Sequence, residues 1–213
     1  MAERFVRELP GQPAVRGFLH RPETDTRAAL VLTHGAGSNC GAPLLVAVAE
    51  AFASAGITVL RCDLPFRQSR PHGPPFGNGS NDRAGLRRAA EALREIAPGP
   101  IFLGGHSYGG RQASMLAAED PNLAAGLLLL SYPLHPPGKP AQLRTAHFSK
   151  LHTPAVFVSG SRDPFGSLEE MQAALRLILA PAELLTVEGA GHDLGRNYEA
   201  VAQLALAAFL KLI

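Results

Sequence analysis

A serine lies between glycines in the segment Gly105-His106-Ser107-Tyr108-Gly109, the only Gly-x-Ser-x-Gly pattern in the chain. An apolar run at residues 101–103 comes directly before it, and a helical pattern at residues 111–118 follows. At such a strand-to-helix turn, a nucleophile elbow, the serine hydroxyl stands above the sheet, and glycines on both sides avoid clashes with neighbouring segments. The pattern predicts Ser107 as a nucleophile. The alternative is a glycine-rich turn in which the serine only caps the helix.

A serine hydroxyl is a poor nucleophile unless a base removes its proton during the attack. Where a nucleophile elbow is present, the acid and then the base follow the serine along the chain. Four histidines follow Ser107, at positions 135, 147, 152 and 192. Only the last is preceded by a strand and a short glycine turn and followed by a terminal helix, so we predict that His192 is the general base.

The acid that orients this histidine is predicted to be Asp163. It follows the apolar run at residues 155–159 directly, in the segment Gly-Ser-Arg-Asp-Pro-Phe-Gly, and therefore lies at the carboxyl end of a strand. Its role would be to hold the imidazole in one tautomer and to stabilise it once protonated. A turn or helix-initiating aspartate is the alternative. The other later carboxylates lie in helices, at a far strand end or too close to the base: Glu119, Asp120, Glu169, Glu170, Glu183 and Glu188.

The segment His34-Gly35-Ala36-Gly37 ends the first predicted parallel strand. Acyl transfer develops negative charge on the carbonyl oxygen, and backbone N–H groups directed at that oxygen supply much of the catalysis. We predict the amides of Ala36 and Tyr108 as the two donors of an oxyanion hole, with Gly37 as an alternative to Ala36. His34 would brace the loop.

Three arginines are expected near the cleft: Arg67, Arg70 and Arg111. Such side chains could clamp a carboxylate of a ligand, but they more often form structural ion pairs. Asp63 is a candidate partner for Arg111. The sequence leaves the role of these arginines open.

The elements that must position these residues alternate along the chain. Apolar runs, predicted to be strands buried on both faces, occur at residues 30–33, 57–62, 101–104, 126–131, 155–159 and 184–188. Helical patterns lie between or after them, at residues 43–55, 82–96, 108–118, 168–179 and 198–210. An antiparallel pair, residues 4–9 and 14–20, is expected at one edge of the sheet. The order predicts an α/β fold with about eight mostly parallel strands and helices on both faces, in a single domain covering residues 1–213.

Two connections are long and poor in regular patterns, residues 64–80 and 132–153. Both begin at the carboxyl end of a predicted strand, where open α/β sheets bind their ligands. They are candidate walls of a binding cleft, and the alternative is that they are only solvated connections.

Composition excludes several classes of protein. The chain of 213 residues carries 46% hydrophobic and 18% charged residues with a net charge of +2, which fits a packed globular protein. Basic residues form no block of the kind that binds nucleic acid, and no apolar run is long enough to span a membrane. The first residues lack a secretory pattern, so a cytoplasmic location with Cys40 and Cys62 reduced is expected. Neither metal-ligand spacing nor a phosphate loop is present, and no cofactor is expected.

Taken together, these motifs resemble the α/β-hydrolase superfamily across essentially the whole chain. The chain is most similar to the small dienelactone-hydrolase-like members that lack a substantial lid. The resemblance implies the triad Ser107, Asp163 and His192 and an open site, because residues 132–153 are too few for more than a small flap. Dienelactone hydrolases proper carry cysteine at the position of Ser107, so their substrate is not transferred. A hydrolase-like domain of a eukaryotic chromatin-complex subunit is similar too.

The predicted function is hydrolysis of a small carboxylic ester through an acyl-serine intermediate. Thioester or amide hydrolysis would use the same residues, and the sequence does not separate them. The alternative class is a binding or scaffold protein that keeps the fold without turnover, since a fold alone does not establish a function. The oligomeric state and the pathway are not predicted.

Overall fold

A computed structural model describes residues 2–23 and 27–213. Its eight strands are β1 (Ala2–Arg7), β2 (Val15–His20), β3 (Ala28–Thr33), β4 (Ile57–Cys62), β5 (Ile101–His106), β6 (Gly126–Leu130), β7 (Ala155–Gly160) and β8 (Ala182–Val187). The α-helices are α1 (Pro43–Ser54), α2 (Pro65–Ser69), α3 (Ser80–Arg94), α4 (Tyr108–Glu119), α5 (Leu168–Leu175) and α6 (Tyr198–Phe209).

All eight strands form one sheet in the order β1-β2-β4-β3-β5-β6-β7-β8. The strands from β3 to β8 run parallel to one another, while β2 pairs antiparallel with both β1 and β4. This confirms the predicted fold class, including the antiparallel pair at one edge of the sheet.

Helices cover both faces of the sheet, and each face has its own apolar core. The core on one face includes residues of α3, α4 and α5, and the core on the other includes residues of α1 and α6. In the second core, the ring of Phe209 lies 4.9 Å from that of Phe52 and 4.6 Å from that of Phe102. Burying one such side chain stabilises the fold by about 1.5–3 kcal/mol. The central strands are buried on both faces because each face meets a helical layer.

The strand order reverses next to β3. The chain passes from β3 to β4 on one side and then crosses back to β5 on the other side. At such a reversal, the loops that leave the two neighbouring strands diverge and open a crevice at the carboxyl ends. The loop after β3 begins at His34, and the turn after β5 contains Ser107, so the topology places these two segments side by side.

Several boundaries differ from the prediction. The connection at residues 64–80 contains α2, whose first residue is Pro65, a residue with a backbone angle suited to the first turn of a helix. Helix α5 ends at Leu175, four residues early, because the next amides bond to carbonyls only three residues back, as Leu177 does to Ala174. Strand β8 is half-buried and not buried as predicted, because it is the last strand of the sheet.

The segment between β6 and β7 contains one 3₁₀ turn, Phe148–Lys150, and no α-helix. A lid of the size of a helical insertion is therefore absent from this part of the structure. None of the helices in the described residues is long and apolar enough to cross a bilayer. Cys40 and Cys62 are both free and buried.

Candidate active site

Ser107 lies in the turn between β5 and α4, as predicted for a nucleophile elbow. Its backbone has φ 51° and ψ −115°, a conformation that residues other than glycine rarely adopt. The Ser107 N–H donates to the carbonyl of Leu130 at 2.8 Å, which ties the turn to β6. A Cβ atom at Gly109 would lie 2.6 Å from the carbonyl oxygen of His34, so only glycine allows this approach. The expected need for glycine beside the serine therefore has a structural cause.

The structure brings Ser107, His192 and Asp163 into one hydrogen-bonded chain. Ser107 Oγ is 2.7 Å from His192 Nε2, and His192 Nδ1 is 2.8 Å from Asp163 Oδ2. Since a carboxylate only accepts, Nδ1 carries the proton and Nε2 is free to accept from the serine. The backbone N–H of Phe165 donates to Asp163 Oδ1 at 2.9 Å and holds the buried carboxylate in place. The arrangement can transfer a proton from serine to histidine and stabilise the resulting imidazolium.

Two aromatic side chains that the sequence analysis did not select hold His192. The ring of Phe165 stacks on the His192 ring with a centroid distance of 4.0 Å. His106 Nε2 lies 2.8 Å from the backbone carbonyl oxygen of His192. Burial lowers the pKa of His106, so this ring is neutral and its Nε2–H donates to that carbonyl. Local pattern gave no signal for either contact, because both partners lie far from His192 along the chain, Phe165 in the turn after β7 and His106 at a distance of 86 residues.

The loop after β3 is braced by His34, as predicted. The N–H of Leu64 donates to His34 Nε2 at 3.1 Å, and His34 Nδ1 lies 2.9 Å from the carbonyl oxygen of Gly35. The ring is fully buried, and burial lowers its pKa, so it is a neutral structural group. Ala36 and Tyr108 border the same cavity as Ser107 and His192. Their amides remain the predicted oxyanion donors.

Arg67 joins this loop to the segment that follows α2. Its guanidinium donates to the carbonyl oxygens of Ser38 at 2.8 Å and Ala36 at 2.6 Å, and to that of Pro71 at 2.7 Å. Its donors are therefore used within the protein, and it stabilises the loop after β3 through the carbonyl oxygens of that loop. Arg70 is exposed and donates to the carbonyl oxygen of Pro74 at 2.6 Å. Neither arginine borders the cavity at Ser107.

The candidate pairing of Asp63 with Arg111 is wrong. Asp63 Oδ1 accepts the backbone N–H of Cys40 at 2.7 Å and lies 3.5 Å from His34 Nε2. Arg111 instead borders the cavity on the first turn of α4. The carboxyl end of β4, where Asp63 lies, faces the loop after β3, and this is why the partner differs.

A buried carboxylate, Asp82, supports the elbow from α3. Its Oδ2 accepts the hydroxyl proton of Tyr108 at 2.7 Å, and its Oδ1 accepts the N–H of Phe66 at 2.9 Å. Burial, followed by the hydrogen bond to Asp82, raises the pKa of Tyr108. The sequence signal was weak, since an aspartate in the first turn of a helix is common on the surface. Asp82 thereby links α2, α3 and the residue after Ser107.

The cavity at Ser107 has a volume of about 870 Å³ and opens to solvent. Glycines of the loop after β3 form one side, and Phe165, Met115 and Pro133 contribute apolar surface. In residues 2–23 and 27–213, no group of three histidine, cysteine or acidic side chains could hold a metal ion. The site is suited to a small organic molecule with a polar group near the serine.

A family model described as "Alpha/beta hydrolase domain" matches residues 26–205. Among solved structures, the chain is similar to a dienelactone hydrolase from Anabaena variabilis, with 22% identity, a TM-score of 0.79 and coverage of 99% of this chain and 98% of that one. It is also similar to Est1E from Butyrivibrio proteoclasticus, with 16% identity, a TM-score of 0.78 and 98% coverage of both chains. A serine hydrolase without lid from Xanthomonas campestris is 17% identical, with a TM-score of 0.74 and coverage of 100% and 95%. At these identities the likenesses show a shared fold.

Proposed function

The chain belongs to the α/β-hydrolase family, and we propose that it is a serine hydrolase that cleaves a small carboxylic ester through an acyl-serine intermediate. The observation that carries this proposal is the hydrogen-bonded chain from Ser107 through His192 to Asp163 at the edge of an open cavity. In this assignment Ser107 is the nucleophile, His192 is the general base and acid, and Asp163 orients the imidazole.

In the first half of the reaction, Ser107 Oγ attacks the ester carbonyl carbon and its proton passes to His192 Nε2. The carbonyl oxygen becomes negative and accepts hydrogen bonds from the amides of Ala36 and Tyr108. The bond to the leaving oxygen then breaks, the alcohol departs with the proton from His192, and the acyl group stays on Ser107. The positive charge on His192 during this step is stabilised by Asp163.

In the second half, His192 removes a proton from water as the water oxygen attacks the acyl carbon. The bond to Ser107 Oγ breaks, the serine regains its proton from His192, and a carboxylic acid leaves. Thioesters and amides would follow the same steps with a different leaving group. The open cavity supports small or exposed substrates, because no helical insertion between β6 and β7 covers it.

The proposal is tested by labelling the purified protein with a fluorophosphonate probe and mapping the modified peptide. We expect modification of Ser107 in the native chain and none in Ser107→Ala, together with a loss of esterase activity of at least about 10³-fold. The matched control is Ser114→Ala. Ser114 lies on α4, the helix that begins directly after Ser107, and its Oγ is 2.8 Å from His147 Nε2. No carboxylate in the described residues pairs with that histidine.

Labelling of Ser107 should persist in the Ser114→Ala control, because a serine–histidine pair without an acid lacks the group that orients and stabilises the base. If the folded native protein takes up no probe, the assigned triad is not a working catalyst and the scaffold alternative gains support. Circular dichroism of each variant verifies folding.

A further inference from the structure

Two arginines border the cavity at Ser107 without an acidic partner. Arg111 lies one helical turn after the serine and donates its backbone N–H to the Ser107 carbonyl oxygen at 3.0 Å. Arg144 lies in the segment between β6 and β7 and borders the same cavity. Within the described residues, neither arginine forms an ion pair, and the cavity lining contains no aspartate or glutamate. The cavity wall therefore carries two positive charges that nearby carboxylates do not neutralise.

The backbone holds Arg144 in a fixed position while much of its guanidinium remains available. Its N–H donates to the Leu134 carbonyl oxygen at 2.8 Å, and its own carbonyl oxygen accepts the hydroxyl of Tyr132 at 2.6 Å. The side chain makes one long contact, from Nη1 to the carbonyl oxygen of Pro133 at 3.4 Å. Most of its five N–H donors are thus free for a ligand.

Arg111 also has an unused donor. Its Nε is buried and lacks a hydrogen-bond partner in the part of the chain that the structure describes. A buried donor without a partner is unfavourable, and a ligand or a water molecule commonly completes such a group.

The electrostatics around the two arginines are unfavourable in the free protein. Burial and then the charge of Arg111 lower the pKa of Arg144, as expected for two positive groups on one cavity wall. His147 nearby is neutral at pH 7, because burial and then the charge of Arg111 lower its pKa to about 4. Arg83, the next cation, is paired with Glu119 at 2.8 Å. The local excess of positive charge is therefore confined to Arg111 and Arg144.

We propose that Arg111 and Arg144 form a carboxylate subsite, and that the ester cleaved at Ser107 carries a free carboxylate at its other end. The substrate class is then the half-esters of small dicarboxylic acids. The proposal rests on the proposed hydrolase function and deepens it. Guanidinium groups bind carboxylates through paired N–H donors, and the site offers two of them beside a nucleophile. A carboxylate there would accept hydrogen bonds from the free donors of Arg144 and offset the positive charge of both guanidinium groups.

The first test compares two 4-nitrophenyl esters of adipic acid, one with the second carboxylate free and one with it capped as a methyl ester. We expect the native enzyme to favour the half-ester by about 10-fold or more in kcat/KM, chiefly through KM. Arg111→Gln and Arg144→Gln should each raise KM for the half-ester by about 10-fold, as expected for a lost charge-assisted hydrogen bond, and change KM for the capped ester by less than about twofold. Arg176→Gln, which removes an exposed arginine outside the cavity, is the control for net charge.

The second test measures binding without turnover, by calorimetry of monomethyl adipate with the Ser107→Ala protein. Binding that weakens about 10-fold in Ser107→Ala/Arg144→Gln supports the subsite even if no ester is cleaved, and in that case only the hydrolase proposal fails. Equal hydrolysis of the two esters, with no selective effect of either arginine variant, overturns the subsite and leaves the hydrolase proposal intact. Absence of calorimetric binding also overturns it.

Discussion

The candidate site depends on how its histidine is held as well as on the three residues of the triad. The ring of Phe165 stacks on the His192 ring, and His106 Nε2–H donates to the backbone carbonyl oxygen of His192. Correct placement of a base is worth several factors of ten in rate when the reacting atoms must stay within hydrogen-bond distance. His106, which precedes the predicted nucleophile, thereby contacts the predicted base, and we expect it to position that base.

Replacing His106 tests this coupling. His106→Leu removes the donor to the His192 carbonyl, and we expect kcat to fall by about 10-fold with KM nearly unchanged. His106→Gln keeps an N–H donor on a side chain of similar length and should recover most of the loss. Steady-state kinetics with a neutral 4-nitrophenyl ester provide the measurement. A leucine variant as active as the native protein, or a glutamine variant as impaired as leucine, would contradict the positioning role.

At this scale the sequence predicted the residues that belong to local motifs and missed those that act across the chain. Ser107, Asp163 and His192 follow strand ends in a fixed order, so pattern alone selects them, and their roles remain predictions. Asp82 and Phe165 were missed because their role depends on which segment they meet in three dimensions. Arg67 could be named but not interpreted, since its partners are backbone carbonyls that carry no sequence signal.

Among the elements, the turn from β5 to α4 is where function conflicts with backbone preference. Ser107 has φ 51°, and a side chain in such a conformation is unfavourable by about 1–3 kcal/mol. The surrounding strands and helix, together with the hydrogen bond to Leu130, hold it there. The benefit is the position of Oγ at the cavity wall, 2.7 Å from His192 Nε2.

A comparison of two inactive variants measures this strain. Ser107→Gly should be more stable than Ser107→Ala by about 1 kcal/mol, because glycine adopts positive φ without the clash and loses part of that gain to its greater freedom when unfolded. Urea denaturation of both proteins at pH 7 gives the free energies of unfolding. Equal stability, or a less stable glycine variant, would show that the turn is not strained.

The sequence predicted the type and order of most elements because apolar runs and helical patterns alternate clearly. It did not predict that β8 is only half-buried, since an edge position depends on strand order in the sheet and not on the apolar character of the run. It also missed α2, a single turn or so that begins at a proline within a glycine- and proline-rich connection.

The whole molecule contains several histidines that are buried in the neutral form. Burial, with smaller electrostatic contributions, lowers the pKa of His20 and of His147 to about 4 and also lowers the pKa values of His34 and His106. In the unfolded chain these rings take up protons near pH 6.5, so the unfolded state binds more protons than the folded state below that pH. Stability is therefore full above about pH 6.5 and falls as the pH drops towards 4.

We expect the free energy of unfolding to decrease between pH 7 and pH 5, with His20 and His147 each contributing about 1–2 kcal/mol to the decrease. Urea denaturation at the two pH values measures it, in a range above the titration of ordinary carboxylates. His20→Gln, whose side-chain oxygen can still accept from Arg61, should reduce the decrease by about 1–2 kcal/mol. A free energy that stays constant from pH 7 to pH 5 would contradict this account.

The two edges of the sheet have a consequence for how the protein behaves in concentrated solution. Exposed ion pairs join Glu3 of β1 to Arg21, which follows β2, and Arg7 of β1 to Glu95, which follows α3. At the other edge, Glu183 of β8 pairs with Lys211. Exposed pairs of this kind contribute little to stability. Their position matters more, because a strand from another molecule that added to either edge would have to strip water from these charges. We therefore expect the charges at both edges to disfavour the edge-to-edge strand pairing through which open sheets aggregate.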